Sequence, residues 1–177
     1  MMSVDRDTST SDMVVVLANR LAGNADEKKF QKALDYVCTE MAKKIARDGE
    51  GATKLVEVQV KNAATKIDAQ KLAKSVITSN LVKCAIFGND PNWGRLMCAM
   101  GSSNARFREN LVDIYFENQK IVSNGIASNF DFGKVKRLMA SGTLKITIDA
   151  KNGKETATAY GCDMTYDYIK INAKYST

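Results

Sequence analysis

The apolar residues of this chain change their spacing once, and that change constrains the fold more than any other feature of the sequence. From Phe30 to Ile45 they recur at i, i+3 and i+4 without a break, after Asp26, a residue type that often caps helices. From Val56 to Val60 they alternate with polar residues, which is typical of a half-buried strand. A long helix followed by an alternating strand predicts the α+β class.

The rest of the pattern predicts helices early in the chain and paired strands late. We expect further helices over 13–21, from a cap at Asp68 to 77, from Asp90-Pro91 to 100, and over 132–140. We expect further strands over 81–87, 111–116, 120–123, 144–148 and 156–160. Asn152-Gly153 is a strong hairpin signal and predicts that the last two strands pair with each other.

The chain of 177 residues contains no histidine, which excludes several classes of catalytic site. It can form no Ser-His-Asp or Cys-His relay and no histidine-ligated metal site. The cysteines, none of them in a CxxC pair, are Cys38, Cys84, Cys98 and Cys162. Apolar neighbours surround the first three, so we expect buried, inert thiols there; Cys162 follows a glycine, and its environment stays open.

The formal net charge is +6, yet Lys and Arg are scattered, with no run longer than two. A solvated basic surface explains this distribution, and attraction of anionic small substrates or of an acidic partner chain is the alternative. Nucleic acid binding is disfavoured because aromatic residues are not interleaved with the basic ones. No apolar run reaches the length of a bilayer span and no signal-peptide core opens the chain, so we expect a soluble cytoplasmic protein.

Three stretches hold polar residues that helix or strand formation does not require. They are 3–12, 47–54, and the pair 87–95 with 161–173. Caps and turns alone could account for each of them, and packing with a helix start is the favoured interpretation around Trp93. Glu50 stands apart because Gly49 and Gly51 flank it, and a backbone between two glycines can approach a ligand closely.

These stretches contain three long strings of unusual composition: RDGEGATK at 47–54, FGNDPNWGR at 87–95 and GCDMTYDYIKINA at 161–173. On these strings the chain resembles, nearly end to end, the β chain of the ornithine acetyltransferase (glutamate N-acetyltransferase) family of arginine biosynthesis. The resemblance implies the αββα sandwich of an enzyme with an N-terminal threonine nucleophile, joined to a mixed α/β C-terminal lobe. We place the sandwich portion at 1–65 and the C-terminal lobe at 66–177.

The resemblance also implies a mechanism. A precursor cuts itself into an α and a β chain, and the threonine exposed at the new β N-terminus takes the acetyl group of N-acetylornithine, with its own amine as the base. Glutamate then receives the acetyl group, and a nucleophile of this kind needs no imidazole. No cofactor or metal is implied, and acetyl-CoA stays open as a second acetyl donor. The implied partner is the α chain, in an α2β2 or larger assembly, with neither nucleic acid nor membrane.

Residue by residue, the resemblance assigns substrate binding to Glu50, Asn172 and Thr177. The family's nucleophile lies upstream of the segment that matches 3–12, so Thr8 and Thr10 correspond to other family positions. We therefore expect this chain to be an N-terminally truncated β chain that lacks the nucleophile and is inactive alone. The alternative is a non-catalytic remnant or interaction subunit that binds an α-chain partner. Arg6 departs from the resemblance, since the family usually has glycine there.

Overall fold

The structure is a computed structural model that describes residues 1–175. Within these residues, six α-helices accompany one six-stranded mixed sheet, which confirms the α+β prediction. The helices are α1 (Glu27–Arg47), α2 (Lys66–Thr78), α3 (Asn80–Phe87), α4 (Trp93–Gly101), α5 (Phe132–Met139) and α6 (Tyr166–Lys174). The strands are β1 (Leu55–Ala63), β2 (Asp113–Phe116), β3 (Gln119–Ser123), β4 (Ile126–Ala127), β5 (Thr143–Asp149) and β6 (Glu155–Cys162). The lobe boundary at residue 65 and the second sheet of a sandwich stay predictions.

The sheet places β1 near one edge, in the order β4-β3-β2-β5-β1-β6. β1 runs parallel to β5 and antiparallel to β6. The start of the chain continues the sheet beyond β6, since Ser3 N donates to Tyr160 O at 3.0 Å and Tyr160 N donates to Met1 O at 3.0 Å. Residues 1–3 therefore cover the edge of β6, which would otherwise expose unpaired backbone groups.

The hairpin predicted at Asn152-Gly153 is wrong, although both of its strands exist. β1 lies between β5 and β6, so the connecting residues cross the end of β1 instead of turning back on the preceding strand. Asn152 N donates to Asn62 O at 2.9 Å, and a Cβ on Gly153 would collide with the carbonyl group of Ala63. The close approach of two backbones requires glycine here. The resulting Asn-Gly dipeptide is the same one that is typical of a hairpin turn.

The two faces of the sheet differ in polarity. One face carries the core, in which α2 packs on β1 and β6. Fully buried side chains of this core include Val58, Val60, Leu144, Ile146 and Ile148 on the sheet and Leu72 and Val76 on α2. The opposite face is polar, and α1 meets it through Lys43, whose ammonium lies 3.9 Å from the Glu57 carboxylate and 5.6 Å from the centre of the Tyr160 ring.

Capping side chains determine the residue at which each of these helices begins. α1 begins after Asp26 as predicted, since the Asp26 carboxylate accepts from Lys29 N at 2.9 Å. α2 begins three residues earlier than predicted, because Thr65 is the cap: its hydroxyl accepts from Asp68 N at 3.0 Å and donates to the Asp68 carboxylate at 2.7 Å. α4 begins later than predicted, with Asn92 as the cap. Trp93 opens α4 and packs against the core, which confirms the packing interpretation.

The strand predicted over 81–87 is wrong, because this segment forms α3. Ser79 caps it by accepting from Val82 N at 3.4 Å. Val82, Ala85 and Ile86 are buried at the i, i+3, i+4 spacing of a helix. A run of eight mostly apolar residues fits a buried strand equally well, and only the cap and the one-sided burial distinguish the two.

The helix predicted over 13–21 is also wrong. Met13, Val14, Leu17 and Leu21 are each at least 80% exposed, and no helical residues are found in this segment. Helices of this length are marginal without a packing surface, and the β-branched run Val14–Val16 adds a further penalty. None of the helices in residues 1–175 combines the length and apolarity that crossing a bilayer would require.

The cysteine predictions are reversed in the structure. Cys38, Cys84 and Cys98 are exposed, so the expected burial of these thiols is wrong. Cys162, whose environment the sequence left open, is buried at the end of β6. The apolar neighbours of Cys84 and Cys98 lie on the buried faces of their helices, and these thiols face outward. The neighbours of Cys38, Tyr36 and Val37, are themselves exposed on α1.

A buried carboxylate joins the turn after β3 to the end of β5. Asp113, 3% exposed, accepts from Lys120 Nζ at 2.7 Å, Lys151 Nζ at 2.6 Å and Asn124 N at 2.8 Å. Burial by itself would raise the pKa of Asp113, but these three donors together hold that pKa well below its usual range.

This arrangement predicts a specific loss of stability in acid. Because the pKa of Asp113 is lower in the folded than in the unfolded chain, its contribution is complete above the unfolded pKa of about 3.9 and disappears as the pH falls through the folded value. We expect wild type to exceed Asp113→Asn in unfolding free energy by about 2 kcal/mol near pH 7, a value reduced by the partial exposure of both lysines. The difference should narrow by about 1 kcal/mol by pH 3. Urea unfolding of both proteins at the two pH values measures it, and a difference that does not change with pH would contradict this account.

Candidate functional site

Two of the polar stretches pack together where α1 ends and α6 begins. Gly51 has φ +64° and lies so close to α6 that a Cβ would stand 2.5 Å from Tyr168 N. The Thr165 hydroxyl donates to Gly51 O at 2.7 Å and accepts from Asp167 N at 3.1 Å, so it caps α6 and fastens the turn at once. Glycine at position 51 is therefore required both by its backbone conformation and by the approach of α6.

Asp163 holds the next residues of the same turn. Its side chain is almost fully buried, and one carboxylate oxygen accepts from Thr53 N at 2.8 Å and from Lys54 N at 3.0 Å. The other oxygen accepts from the Thr53 hydroxyl. The carboxylate thus satisfies two backbone donors that neither a helix nor the sheet pairs, and the one on Lys54 is buried.

Lys54 connects this turn to the string that follows α3. Its ammonium donates to Ile86 O at 2.7 Å and to the side-chain oxygen of Asn89. Burial lowers the pKa of Lys54, and the charge of Asp163 opposes that shift. The ring of Phe87 also meets Tyr166 edge-on, with 5.6 Å between the ring centres.

Lys83 attaches the start of the chain to the same region. Its buried ammonium donates to Val4 O at 2.6 Å and to Cys162 O at 2.7 Å, and the Cys162 Sγ lies at 3.3 Å. Burial raises the pKa of the Cys162 thiol and the Lys83 charge opposes this, so the thiol stays protonated near neutral pH. Further out, the Tyr168 hydroxyl donates to Asp5 Oδ2 at 3.2 Å. All the polar strings singled out in the sequence therefore converge on one region.

Two of the three predicted site residues meet at the surface of this region. Asn172 on α6 donates through Nδ2 to Glu50 Oε2 at 2.7 Å and to Tyr168 O at 3.0 Å. Glu50 is exposed on its turn, so its carboxylate retains lone pairs for another donor. Thr177 lies outside the residues that the structure describes.

Glu50 also borders a cleft of about 490 Å³ that the N-terminal segment encloses. Asp5, Asp7 and Asp12 line the same cleft, together with the side chains of Thr8 and Ser9. Sequence reasoning treated these residues as turns and caps and did not place them beside Glu50. Three aspartates within eight residues were the available signal. Arg6 and Lys74 line the cleft as well, but four carboxylates outnumber these two cations, and the net negative charge favours a ligand with a cationic group.

Among residues 1–175, no group of three or more Cys, Asp or Glu side chains is arranged to hold a metal ion. The arrangement can instead bind a small polar molecule through an exposed carboxylate, a side-chain amide and an acidic cleft wall.

Comparisons with known proteins identify similar chains. The sequence model of the ArgJ family matches residues 1–177. The arginine biosynthesis bifunctional protein ArgJ 1 of Clostridium acetobutylicum is 50% identical over 99% of this chain. The glutamate N-acetyltransferase of Methanocaldococcus jannaschii is 47% identical, also over 99% of the chain. In both cases the chain spans only 46% of the relative's length. The crystal structure of arginine biosynthesis bifunctional protein ArgJ from Bacillus halodurans superimposes with a TM-score of 0.93 at 43% identity, over 98% of this chain and 85% of the other.

Proposed function

The chain belongs to the ArgJ family, and on that premise we propose that the protein containing it transfers an acetyl group from N-acetylornithine to glutamate. The names of its relatives, which are arginine biosynthesis bifunctional proteins and a glutamate N-acetyltransferase, support this reaction. The observation that carries the proposal is the contact between Glu50 and Asn172 at the edge of an acidic cleft. The resemblance assigns both residues to substrate binding, and it contains no information on the distance between them.

The chemistry of the substrates fits this arrangement. Ornithine bears a side-chain ammonium group, which the Glu50 carboxylate can pair with at the surface of the cleft. The aspartates of the N-terminal segment add negative charge along the wall and favour the approach of a cation. The Asn172 amide offers a donor and an acceptor, so it can hold Glu50 and still bond a substrate group. We assign Glu50 and Asn172 to binding and Thr177 to the same role by resemblance.

The nucleophile in this proposal is a threonine that self-cleavage exposes at the N-terminus of the β chain. Its hydroxyl attacks the acetyl carbonyl while its own amine takes the proton, and ornithine leaves as the acetyl-threonine forms. Glutamate then attacks this ester through its α-amine and regenerates the threonine. The absence of histidine from the chain agrees with a base of this kind. No metal or cofactor enters these steps, and acetyl-CoA stays open as another donor.

This chain exposes an apolar surface on which the implied α chain can pack. The apolar side chains of α1 are about half exposed at Phe30, Val37, Met41 and Ile45, and Ala46 is the one buried residue in this helix. The exposed segment 13–21 adds further apolar side chains. Apolar side chains exposed in this number are typical of an interface, and the chain matches about half of each relative's length. We propose that the α chain covers α1.

The test is transfer of labelled acetyl from N-acetylornithine to glutamate. The complete αβ protein should form labelled N-acetylglutamate, and the 177-residue chain alone should form none above the uncatalysed background. If this chain and the α chain associate but the complex transfers no acetyl group, the alternative function of a non-catalytic interaction subunit is favoured. Turnover by the purified chain alone would contradict the assignment of the nucleophile and direct attention to Thr8 and Thr10.

A further inference from the structure

Tyr168 on α6 is bonded to two separate parts of the acidic cleft. Its hydroxyl donates to Asp5 Oδ2 at 3.2 Å, and its carbonyl oxygen accepts from Asn172 Nδ2 at 3.0 Å. The same Asn172 nitrogen donates to Glu50 Oε2 at 2.7 Å. Asp5 and Glu50 line one cleft, so a single residue of α6 is connected to carboxylates from both the N-terminal segment and the turn after α1.

The backbone of Tyr168 is fixed independently of its hydroxyl. The Thr165 hydroxyl accepts from Tyr168 N at 3.3 Å and donates to Gly51 O at 2.7 Å, which ties the start of α6 to the turn. None of the side chains of α6 is buried, so polar contacts of this kind hold the helix in place more than core packing does. Removing the hydroxyl of Tyr168 therefore leaves α6 attached and changes only the contact with Asp5.

Both oxygens of the Asp5 carboxylate are held. Oδ1 accepts from Asp7 N at 3.1 Å within the local turn, and Oδ2 accepts from the Tyr168 hydroxyl. Arg6 and Lys74 line the cleft as well, but in the part of the chain that the structure describes neither of them forms a salt bridge with Asp5. The negative charge of Asp5 thus has a fixed orientation and is available to a cationic ligand.

The surroundings of Tyr168 keep its hydroxyl protonated. Burial raises the pKa of Tyr168, and the negative charge of Asp5 raises it further, followed by the charges of Glu50 and Asp7. The hydroxyl therefore remains a hydrogen-bond donor near neutral pH, and it can hold an ionised carboxylate.

We propose that Tyr168 is a positioning residue of this cleft: it acts through Asp5, whose carboxylate it orients so that it attracts the side-chain ammonium group of the substrate. The inference rests on the proposed function, in which that substrate is N-acetylornithine. The ammonium group does not react during acetyl transfer, so its attraction to the cleft is the same in the bound substrate and in the transition state. A less well oriented Asp5 should therefore raise KM and leave kcat nearly unchanged.

The test compares Tyr168→Phe with wild type in the complete αβ protein. The variant should raise KM for N-acetylornithine by about three-fold or more, with kcat, and kcat/KM for glutamate, within about two-fold of wild type. Calorimetric titration with ornithine, which retains the ammonium group and has no acetyl group to transfer, should show a similar loss of affinity. Tyr166→Phe is the matched control, because it removes the hydroxyl of an exposed tyrosine on the same helix. It should change each of these quantities by less than about two-fold.

A double-mutant cycle with Asp5→Ala tests whether Tyr168 acts through Asp5. Asp5→Ala alone should weaken ornithine binding by about three-fold or more, and adding Tyr168→Phe should change it by less than about two-fold again. The inference is overturned if Tyr168→Phe binds ornithine as wild type does, or if the effects of the two substitutions multiply; acetyl transfer by wild type would still support the proposed function. Conversely, ornithine binding that depends on Tyr168 in a wild type that transfers no acetyl group would overturn the proposed transfer and support this inference. Absence of ornithine binding to wild type would overturn both.

Discussion

Replacing Asp163 with alanine should lower the free energy of unfolding by about 3 kcal/mol, the largest single-residue effect that we expect in this chain. The substitution leaves the backbone N–H groups of Thr53 and Lys54 without an acceptor, and that of Lys54 is buried. Each buried donor left unpaired costs about 1–3 kcal/mol, and the Thr53 hydroxyl loses its partner as well. Against a typical total of roughly 5–15 kcal/mol, such a loss is substantial.

Two variants isolate the cause of this loss. Asp163→Asn keeps an oxygen that can accept from the backbone, so it should cost much less than alanine. Asp167→Ala removes an exposed carboxylate four residues away, whose partner is Lys170 at 2.8 Å, and should cost less than about 1 kcal/mol. Chemical unfolding of the three variants measures the order. Equal destabilisation by Asp163→Ala and Asp163→Asn would show that charge, and not backbone pairing, is what Asp163 supplies.

The local elements of the fold could be predicted where a segment follows one period and is long. α1 repeats its apolar positions from Phe30 to Ile45, about four turns, and its predicted cap at Asp26 is correct. α3 has only two turns, and an apolar run of that length fits a helix and a strand equally well. The segment 13–21 has suitable residues before it and after it, but no surface of residues 1–175 packs on it to stabilise a helix.

The order of the strands in the sheet cannot be deduced from residues that are close together in the sequence. Asn152-Gly153 joins two strands that are adjacent in sequence, and local rules favour pairing such strands. The insertion of β1 between them depends on contacts about 90 residues apart in the chain, such as Val60 opposite Ile148. Nothing in the turn residues records those contacts.

The site was only partly predictable for the same reason. Glu50 and Asn172 came from the resemblance, and no spacing rule connects two residues that are 122 positions apart. Asp163 and Lys83 were not singled out, because a buried polar side chain is recognised by the backbone groups that it meets and not by its neighbours in sequence. The three exposed cysteines show the converse error, since apolar neighbours along the chain do not imply a buried thiol.

In the complete αβ protein, Glu50→Ala should reduce kcat/KM for N-acetylornithine by roughly ten- to hundred-fold. The loss corresponds to about 1.5–3 kcal/mol, the usual value of a hydrogen bond to a charged group. Glu50 is exposed, and its removal leaves Asn172 bonded to Tyr168 O, so the Tm should hardly change. Glu50→Gln can still accept from Asn172, so it tests whether charge rather than the Asn172 contact is required.

The matched control is Glu155→Ala, which removes an exposed glutamate at the far end of β6. It should leave kcat/KM within two-fold of wild type for both substrates. Glutamate has no side-chain ammonium, so the half-reaction that consumes it should suffer less from Glu50→Ala than the half-reaction that uses N-acetylornithine.

The most direct measurement of the central claim, that Glu50 binds the substrate in this family member, is steady-state kinetics for both substrates beside thermal unfolding of the same preparations. The account predicts a ten- to hundred-fold loss for N-acetylornithine with Glu50→Ala, a similar loss with Glu50→Gln, and an unchanged Tm in both. Unfolding of Glu50→Ala, or retention of full activity in both half-reactions, would show that Glu50 has a structural role or none, and would contradict the proposed site.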